Sequence, residues 1–543
     1  MTVSGIAYEK KEQTTARSLF SITGACPVHQ NRFVLVVVLL LLILLFVLLL
    51  ILLLVLLLIL LLVLLVLILI LVVHCIHHTF GIIVADKTEF IRREMIFLNP
   101  RYRERLCGLF HWDEDTFDRV YASECFRGIR VNTLKSDFET VQSVFAERLE
   151  QTPFYKDSYY ISPGLSGVGN LPLHHAGAFY VQEPSACSVL SVVDARPGER
   201  ILDLCAAPGG KSTGIAAGLG GQGILWTNEY VRRRANILLS NIERMGVRNA
   251  AVSSLEASYL CRTLGGFFDK VLVDAPCSGE GMWRHNPQVE QQWSEDYVAE
   301  CAALQREILL AARGAVRPGG RLIYSTCTFS REENERNVEW FLRQSRDFAL
   351  EKISASFGRE GMGGDPVIDT SVRRILPTDG GEGHFVASFR KTDGENPVAV
   401  EWVEDHLSSE SRKIVADFFE ENFSAFPSGC FMEKNGLVYL VPRELPALRG
   451  DILRYGLLVG ELRKNRLEPA HALFAASGVT PRRRLALRSG DERVSAFLHG
   501  LEIPADGDGR GYIAVTVDGC PLGFGKQSGG RIANRYPKGL RTL

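Results

Sequence analysis

The sequence lacks most of the patterns that identify a protein class at once. Its 543 residues carry a formal net charge of -1, so basic residues must be judged locally and the overall charge indicates no class of partner. The twelve cysteines include no CxxC pair and no Cys/His spacing typical of zinc. Their scatter is poor support for a disulfide framework or a metal site and fits a reducing compartment. Because the chain is too long for one core, we expect roughly two to four domains.

Polar residues are absent from residues 33–73, which consist only of Leu, Val, Ile and Phe. A helix over this range would extend about 60 Å, against about 30 Å for the hydrocarbon core of a bilayer. A membrane anchor with a cytoplasmic carboxyl side is physically allowed. We favour the interpretation that residues 1–94 are low-complexity translation upstream of the true start at Met95, and a soluble core element is the least favoured. We predict no metal site in the polar group that follows the run, which is His74, Cys75, His77 and His78.

Strands and helices alternate between residues 196 and 391, which is typical of a mostly parallel sheet. The strands predicted there are Ile201–Leu204, Gly223–Thr227, Ala250–Ser253, Lys270–Asp274 and Arg321–Ser325. Residues 95–195 have a mixed texture and are predicted to form an amino-terminal domain. Beyond the polar segment at 391–397 we expect a mixed module over 397–480. Short strands, glycines and basic residues then predict a small β-barrel over 481–543.

Two cysteines follow predicted strands of the parallel sheet. Cys277 lies in the segment Asp274–Gly279, and Cys327 lies in the segment Ser325–Phe329. Ligands of such sheets bind at the carboxyl ends of the strands, so the two thiols can converge on one pocket. A thiol is a good nucleophile at neutral pH because its pKa is easily lowered. The alternative is a pair of buried structural cysteines.

The residues after Cys327 carry a second local pattern. Ser330 and Glu333 have the spacing of a capping box, in which each side chain binds the backbone at the start of a helix. We therefore expect the helix that follows Cys327 to begin here.

A glycine-rich segment, Asp203–Thr213, joins the first predicted strand to a helix. A phosphate-binding P-loop would need a glycine where this chain has Cys205, and the dinucleotide pattern G-x-G-x-x-G is absent. A nucleoside-type cofactor remains, because glycines admit a ligand close to the backbone and the helix start offers free N–H groups. Glu229 ends the next strand, where a carboxylate can bind ribose hydroxyls, although a solvated surface acid is the alternative.

The glycine-rich segment and the two cysteine motifs together closely resemble the Nop/Sun family of RNA cytosine-C5 methyltransferases, over about residues 95–390. The ends of the chain resemble the bacterial RsmF-like branch, which methylates small-subunit ribosomal RNA. The resemblance implies an α/β fold: a Rossmann-like class I methyltransferase sheet, an amino-terminal α+β RNA-binding domain and a carboxyl-terminal PUA-like β module. It also implies S-adenosylmethionine as the cofactor and ribosomal RNA or the small ribosomal subunit as the partner.

The resemblance further implies residue roles. Cys327 would be the nucleophile, Cys277 would help the product to leave, and Asp274 would face both the cofactor and the target base. Glu229 would bind ribose, and Glu256 stands where relatives commonly have Asp near the adenine, although Leu255 replaces their usual Asn. The loop that wraps the methionine and ribose side of the cofactor would be Cys205, Ala206, Ala207, Pro208, Gly209, Gly210 and Lys211. Candidate RNA contacts are Lys211, Arg130, Arg284, Arg482, Arg483, Arg484, Arg488 and Lys538; each of them could instead be structural or solvated.

The implied chemistry explains why these groups are needed. A thiolate that adds to C6 turns C5 of cytosine into a carbon able to attack a sulfonium methyl group. Asp274 would protonate or hydrogen-bond N3, and the base must leave its stack. The alternatives are a transfer-RNA methyltransferase, a non-catalytic RNA-binding assembly protein, or a nucleotide hydrolase that uses Gly210-Lys211-Ser212. We expect a monomer with a cytoplasmic catalytic part, bound to a membrane only if residues 33–73 are a genuine span.

Overall fold

The computed structural model describes residues 100–394 and 397–542. The apolar run at 33–73, the competing interpretations of residues 1–94 and the His74–His78 group therefore lie outside the described residues. Within the described part, no helix has both the length and the hydropathy required to cross a membrane.

The amino-terminal part contains two helices followed by a four-stranded antiparallel sheet in the order β2-β3-β1-β4. The first helices pack Tyr102, Phe110 and Phe117 against Trp283 and Phe329, beside the two predicted cysteine loops. The elements are α1 (Pro100–Phe110), α2 (Glu114–Ala122), β1 (Gly128–Val131), α3 (Phe138–Gln142), β2 (Glu150–Gln151), β3 (Ser158–Tyr160), α4 (Pro172–His175), β4 (Phe179–Val181) and α5 (Ser188–Val193).

A mixed sheet forms the centre of the molecule and confirms the predicted α/β class. Its elements are β5 (Arg200–Asp203), α6 (Gly210–Leu219), β6 (Ile224–Asn228), α7 (Arg232–Arg244), β7 (Ala250–Ser253), α8 (Ala257–Thr263), β8 (Phe268–Asp274), α9 (Pro287–Gln292), α10 (Glu295–Ala315), β9 (Val316–Thr326), α11 (Glu335–Gln344), β10 (Phe348–Glu351), α12 (Pro366–Ser371), β11 (Arg373–Ile375) and β12 (His384–Lys391). Strands β7, β6, β5, β8 and β9 are parallel neighbours in that order, and β12 runs antiparallel to β9. Helices cover both faces of such a sheet, which is why the centre of β8 is apolar and fully buried at Val271–Val273.

The carboxyl-terminal part consists of two further sheets and a short strand pair. Its elements are α13 (Ser409–Asn422), β13 (Phe423–Ala425), β14 (Cys430–Lys434), β15 (Leu437–Val441), β16 (Ile452–Tyr455), β17 (Leu457–Arg463), β18 (Arg466–Pro469), α14 (His471–Ala475), β19 (Thr480–Pro481), β20 (Arg484–Leu487), α15 (Glu492–Leu498), β21 (Ile503–Pro504), β22 (Arg510–Val517), β23 (Cys520–Ser528) and β24 (Arg531–Asn534). The last sheet has the order β20-β22-β23-β24-β21.

Two contacts tie this part to the rest of the chain. Strand β16 pairs antiparallel with β7 and so extends the central sheet. The apolar faces of β1 and of the last sheet share one core, which includes Ile129, Val131, Leu485 and Val515. The amino-terminal and carboxyl-terminal parts therefore pack on each other as well as on the central sheet.

Candidate active site

The loops that follow β8 and β9 meet at the carboxyl edge of the parallel strands. Asp274 of β8 pairs in register with Ser325 of β9, so both loops begin at the same level of the sheet. The Sγ atoms of Cys277 and Cys327 lie 3.3 Å apart, and both thiols are free and partly exposed. The structure thus brings the two predicted cysteines together.

The two thiols are not equivalent. The hydrogen bond with Cys327, together with burial, raises the pKa of Cys277 well above its usual range. Cys277 therefore keeps its proton at neutral pH and can donate it towards the sulfur of Cys327. In that arrangement the sulfur of Cys327 is the acceptor of the hydrogen bond.

The carboxylate of Asp274 lies beside the thiol pair and is held by two donors. Its Oδ2 accepts a bond from Lys211 Nζ at 2.8 Å, and its Oδ1 accepts one from Ser325 Oγ at 2.7 Å. Burial alone would raise the pKa of Asp274, but the charge of Lys211 and the hydrogen bonds from Lys211 and Ser325 outweigh it, and the pKa is lowered. Asp274 is therefore ionised at neutral pH, so it acts as a hydrogen-bond acceptor and does not itself donate a proton.

The predicted cofactor loop joins β5 to α6, whose first turn offers N–H groups without a partner inside the helix. Gly209 has a φ of 113°, and a Cβ there would lie 3.2 Å from Leu238 Cδ1, so a side chain would be strained. Asp203 Oδ2 accepts a bond from Ser212 Oγ, whereas its Oδ1 is buried without a partner. Burial raises the pKa of Asp203 to about 7. The free N–H groups of the first turn of α6 and the close approach that Gly209 allows fit a nucleoside that carries amino-acid and sulfonium groups.

Two further carboxylates lie at the same edge of the sheet. Glu229 directly follows β6 and is 4% exposed. Its Oε1 accepts a bond from Val231 N at 2.9 Å, and its Oε2 lies 3.2 Å from Arg234 Nη1. Glu256 directly precedes α8, is exposed and accepts a bond from Ser258. Both glutamates thus stand after neighbouring strands, at the places that the resemblance implies for ribose and adenine.

Arg130 is not a surface contact for RNA, contrary to one of our expectations. The side chain is fully buried, and its Nη2 donates to Gly210 O at 3.1 Å and to Thr213 Oγ1 at 2.7 Å. Its Nε lies 3.3 Å from Gln182 Oε1. The guanidinium therefore anchors the start of α6 to the amino-terminal domain.

Arg284 is also committed within the protein. Its Nη2 donates to Ser123 O at 2.7 Å, and its Nη1 lies 3.4 Å from Glu382 Oε2. Cys125, His285 and Glu382 place their potential metal ligands within 4.8 Å of one another. The guanidinium already supplies a positive charge to Glu382, so we assign no metal to this group.

The basic residues predicted for the last module lie on its surface. Arg482 donates from Nε to Glu420 O at 3.0 Å, and Arg488 Nη1 is 3.8 Å from Asp518 Oδ1. The exposed members of the predicted group are Arg482, Arg484, Arg488 and Lys538, and Arg483 is partly exposed.

Three buried polar residues around the thiols were not predicted as site residues. Glu280 and Glu333 bind the two cysteine loops, and both are at most 1% exposed. His384 begins β12 and places Nε2 3.8 Å from Asp274 Oδ1; burial lowers its pKa to about 3, so the ring is neutral. For His384 the available signal was a polar residue at the start of a mostly apolar strand, which indicates a buried partner.

The sheet order, the glycine-rich turn after β5 and the thiol pair after β8 and β9 define a methyltransferase of the Rossmann-like type. The model of 16S rRNA methyltransferase RsmB/F matches residues 190–390. Models specific to RsmF match the flanking parts: its N-terminal domain over 98–184, its first C-terminal domain over 417–476 and its PUA domain over 484–542.

Curated relatives extend this similarity over most of the described chain. The ribosomal RNA small subunit methyltransferase F of Vibrio vulnificus (strain YJ016) is 32% identical over 444 residues, which cover 76% of this chain and 91% of that protein. The protein of the same name from Klebsiella pneumoniae (strain 342) is 31% identical, with 79% and 93% covered. The chain therefore belongs to the RsmB/F family of 16S rRNA methyltransferases, and its cofactor is S-adenosylmethionine.

Proposed function

We propose that this protein methylates C5 of a cytosine in small-subunit ribosomal RNA through a covalent bond between Cys327 and C6 of the base. The observation that carries the proposal is the 3.3 Å contact between the sulfurs of Cys277 and Cys327 beside the Asp274 carboxylate. One thiol suffices to activate C5 by addition to C6. A second thiol in contact with it is what an enzyme needs if it must also resolve that bond.

Different residues of the chain bind the cofactor, attack the base and contact its N3 atom. S-adenosylmethionine, when bound, supplies an electrophilic methyl group, and the Cys205–Lys211 loop, Glu229 and Glu256 would hold it. Cys327 attacks C6, and negative charge builds up on the pyrimidine around N3. N3 takes up a proton from solvent as this charge develops, and the Asp274 carboxylate, fixed by Lys211, is placed to accept the hydrogen bond of that N3–H group.

Cys277 acts after the methyl group has moved. The adduct is resolved when water accepts the C5 proton, the C5–C6 double bond re-forms and the bond between Cys327 and C6 breaks with its electron pair going to the sulfur. Cys277 lies next to the breaking bond and assists this elimination. Its removal should therefore leave addition intact and block release.

The RNA substrate is inferred from the relatives. The proteins that resemble this chain are named small-subunit ribosomal RNA methyltransferases, and the carboxyl-terminal module matches their PUA domain. The exposed Arg482, Arg484, Arg488 and Lys538 supply positive charge for RNA phosphates. A ribosomal substrate places the enzyme in the cytoplasm, where its thiols stay reduced.

The test incubates three variants with the cofactor and with small subunits or small-subunit RNA lacking 5-methylcytosine. Cys327→Ala should lose methyl transfer. Cys277→Ala should accumulate an RNA adduct that survives denaturing electrophoresis, whereas Cys301→Ala, which removes a buried thiol on α10, should behave as wild type. Normal turnover by Cys277→Ala without an adduct would refute the mechanism, and methylation of transfer RNA alone would refute the substrate.

A further inference from the structure

Two buried glutamates connect the cysteine loops in a crossed arrangement. Glu280 follows Cys277 in the chain but binds the segment after Cys327. Glu333 follows Cys327 in the chain but binds the segment around Cys277. Each loop is therefore held by a carboxylate that the other loop supplies.

Glu280 is saturated with donors. Its Oε2 accepts bonds from Thr328 Oγ1 at 2.8 Å and Phe329 N at 2.9 Å, and its Oε1 accepts bonds from Ser330 Oγ at 2.7 Å and Trp293 Nε1 at 2.9 Å. Three of these four donors come from the residues directly after Cys327. The neighbouring Gly281 N donates to the carbonyl of Cys327 itself at 2.9 Å. The backbone of the nucleophile is thus fixed from the loop of Cys277.

Glu333 fixes the other loop in the same way. Its Oε2 accepts bonds from Ser278 N at 3.0 Å and Gln305 Nε2 at 2.7 Å, and its Oε1 accepts one from Ser278 Oγ at 2.5 Å. Gln305 Nε2 also donates to Pro276 O at 3.0 Å. Ser278 therefore binds the Glu333 carboxylate directly, and Pro276 is connected to it through Gln305. The predicted capping box of Ser330 and Glu333 is therefore wrong. Ser330 donates to Glu280, and the carboxylate of Glu333 binds the loop of Cys277.

The two halves of the arrangement touch. Ser278 Oγ and Thr328 Oγ1 lie 2.7 Å apart, so the donors of the two carboxylates are hydrogen-bonded to each other. Neither Glu280 nor Glu333 contacts a thiol directly. Each glutamate fixes the backbone that carries one sulfur, and the charge of Glu333 also contributes to the raised pKa of Cys277.

We propose that Glu280 is the positioning residue of Cys327 and that Glu333 is the positioning residue of Cys277. The inference rests on the proposed function, because it assigns the two glutamates to two different steps of that reaction. Loss of Glu280 should displace the attacking sulfur and slow addition to C6. Loss of Glu333 should displace the releasing thiol and slow elimination. A displacement near 1 Å at a reacting group costs about 100-fold in rate.

The experiment measures the two steps separately. Glu280→Gln and Glu333→Gln are made in the wild-type chain and again with Cys277→Ala, which traps the adduct. Glu333→Gln alone should accumulate adduct with RNA and cofactor, and in the trapped background it should form adduct at the rate of the parent. Glu280→Gln should accumulate none alone and should form adduct at least about tenfold more slowly in the trapped background. Glu339→Gln, on the exposed side of α11, is the matched control.

Two milder variants serve if a glutamate variant fails to fold, as judged by lost cofactor affinity. Ser330→Ala removes one donor to Glu280, and Ser278→Ala removes the hydroxyl donor to Glu333. Ser330→Ala should slow adduct formation and Ser278→Ala should slow adduct release, each by less than the corresponding glutamate variant.

The outcomes separate this inference from the function on which it rests. If Cys277→Ala alone gives no adduct, the proposed function is wrong. If Cys277→Ala gives adduct but the two glutamate variants slow the same step, or slow neither, the crossed assignment is wrong and the proposed function stands.

Discussion

Removal of Arg374 should destabilise the catalytic domain more than any change to a surface ion pair. Arg374 and Glu335 are 1% and 2% exposed, and the guanidinium binds both carboxylate oxygens, at 2.6 and 2.5 Å. Arg374 Nη1 also donates to Phe329 O at 2.8 Å, next to the loop of Cys327. In Arg374→Met the buried carboxylate keeps only the bond from Met362 N among the donors recorded for it.

The size of the effect follows from this burial. Breaking a buried ion pair by removal of one partner costs about 3–5 kcal/mol. For a domain of this size 1 kcal/mol shifts the melting temperature by about 2–4 °C, so we expect a loss of roughly 6–20 °C. Burial would raise the pKa of Glu335, but Arg374 lowers it overall; without Arg374 the carboxylate takes up a proton more readily. The deficit should therefore shrink as the pH falls towards 4.

The assay is thermal unfolding of the full chain at pH 8 and at lower pH values. Arg343→Met breaks the exposed Arg343–Glu339 pair on α11, whose side chains are 66% and 41% exposed, and should cost no more than about 1 kcal/mol. The double variant Arg374→Met/Glu335→Met should be more stable than Arg374→Met, because it leaves no unpaired charge. An Arg374→Met melting temperature equal to that of Arg343→Met, or a double variant below the single one, would refute the reasoning.

Two further predictions concern the site. Burial raises the pKa of Asp203 to about 7, whereas the unfolded value is about 3.9, so the folded chain binds the proton more tightly and loses stability as the pH rises between these values. Asp203→Asn should flatten the melting temperature over that range; parallel curves for variant and wild type would contradict this. Hydrogen peroxide should oxidise one of the contacting thiols to a sulfenic acid, from which the other displaces water to form a Cys277–Cys327 disulfide. Mass spectrometry should find that link, with activity restored by dithiothreitol and Cys301 still reduced; inactivation without the link would be the contrary result.

Most of the correct predictions about the fold came from patterns of contiguous residues. The strand Ala250–Ser253 was predicted to the residue, and the other four predicted strands of the central sheet overlap the observed ones. Strand β9 is the largest difference: it begins at Val316, because the chain continues to pair with β8 across the Gly319-Gly320 segment that resembles a turn. The meeting of the cysteine loops followed from strand direction alone, since parallel neighbours end at one edge.

Non-local partners account for the failures. Glu333 has the spacing of a capping residue, but its carboxylate binds Ser278 from a distant loop, and a saturated buried site outweighs a local cap. Strand β16 joins the central sheet because β7 is otherwise an open edge. No local pattern in residues 397–480 predicts that a strand from this range pairs with β7.

Arg130 shows how β1 joins the carboxyl-terminal sheet to the predicted cofactor loop. Successive side chains of a strand point to opposite faces. Ile129 and Val131 enter the core that β1 shares with the carboxyl-terminal sheet, so Arg130 between them faces the other way and binds Gly210 O and Thr213 Oγ1 of α6. The guanidinium of Arg130, a candidate RNA contact in the sequence, is instead a buried link between β1 and α6. Strand β1 therefore contacts both the carboxyl-terminal sheet and the first turn of α6.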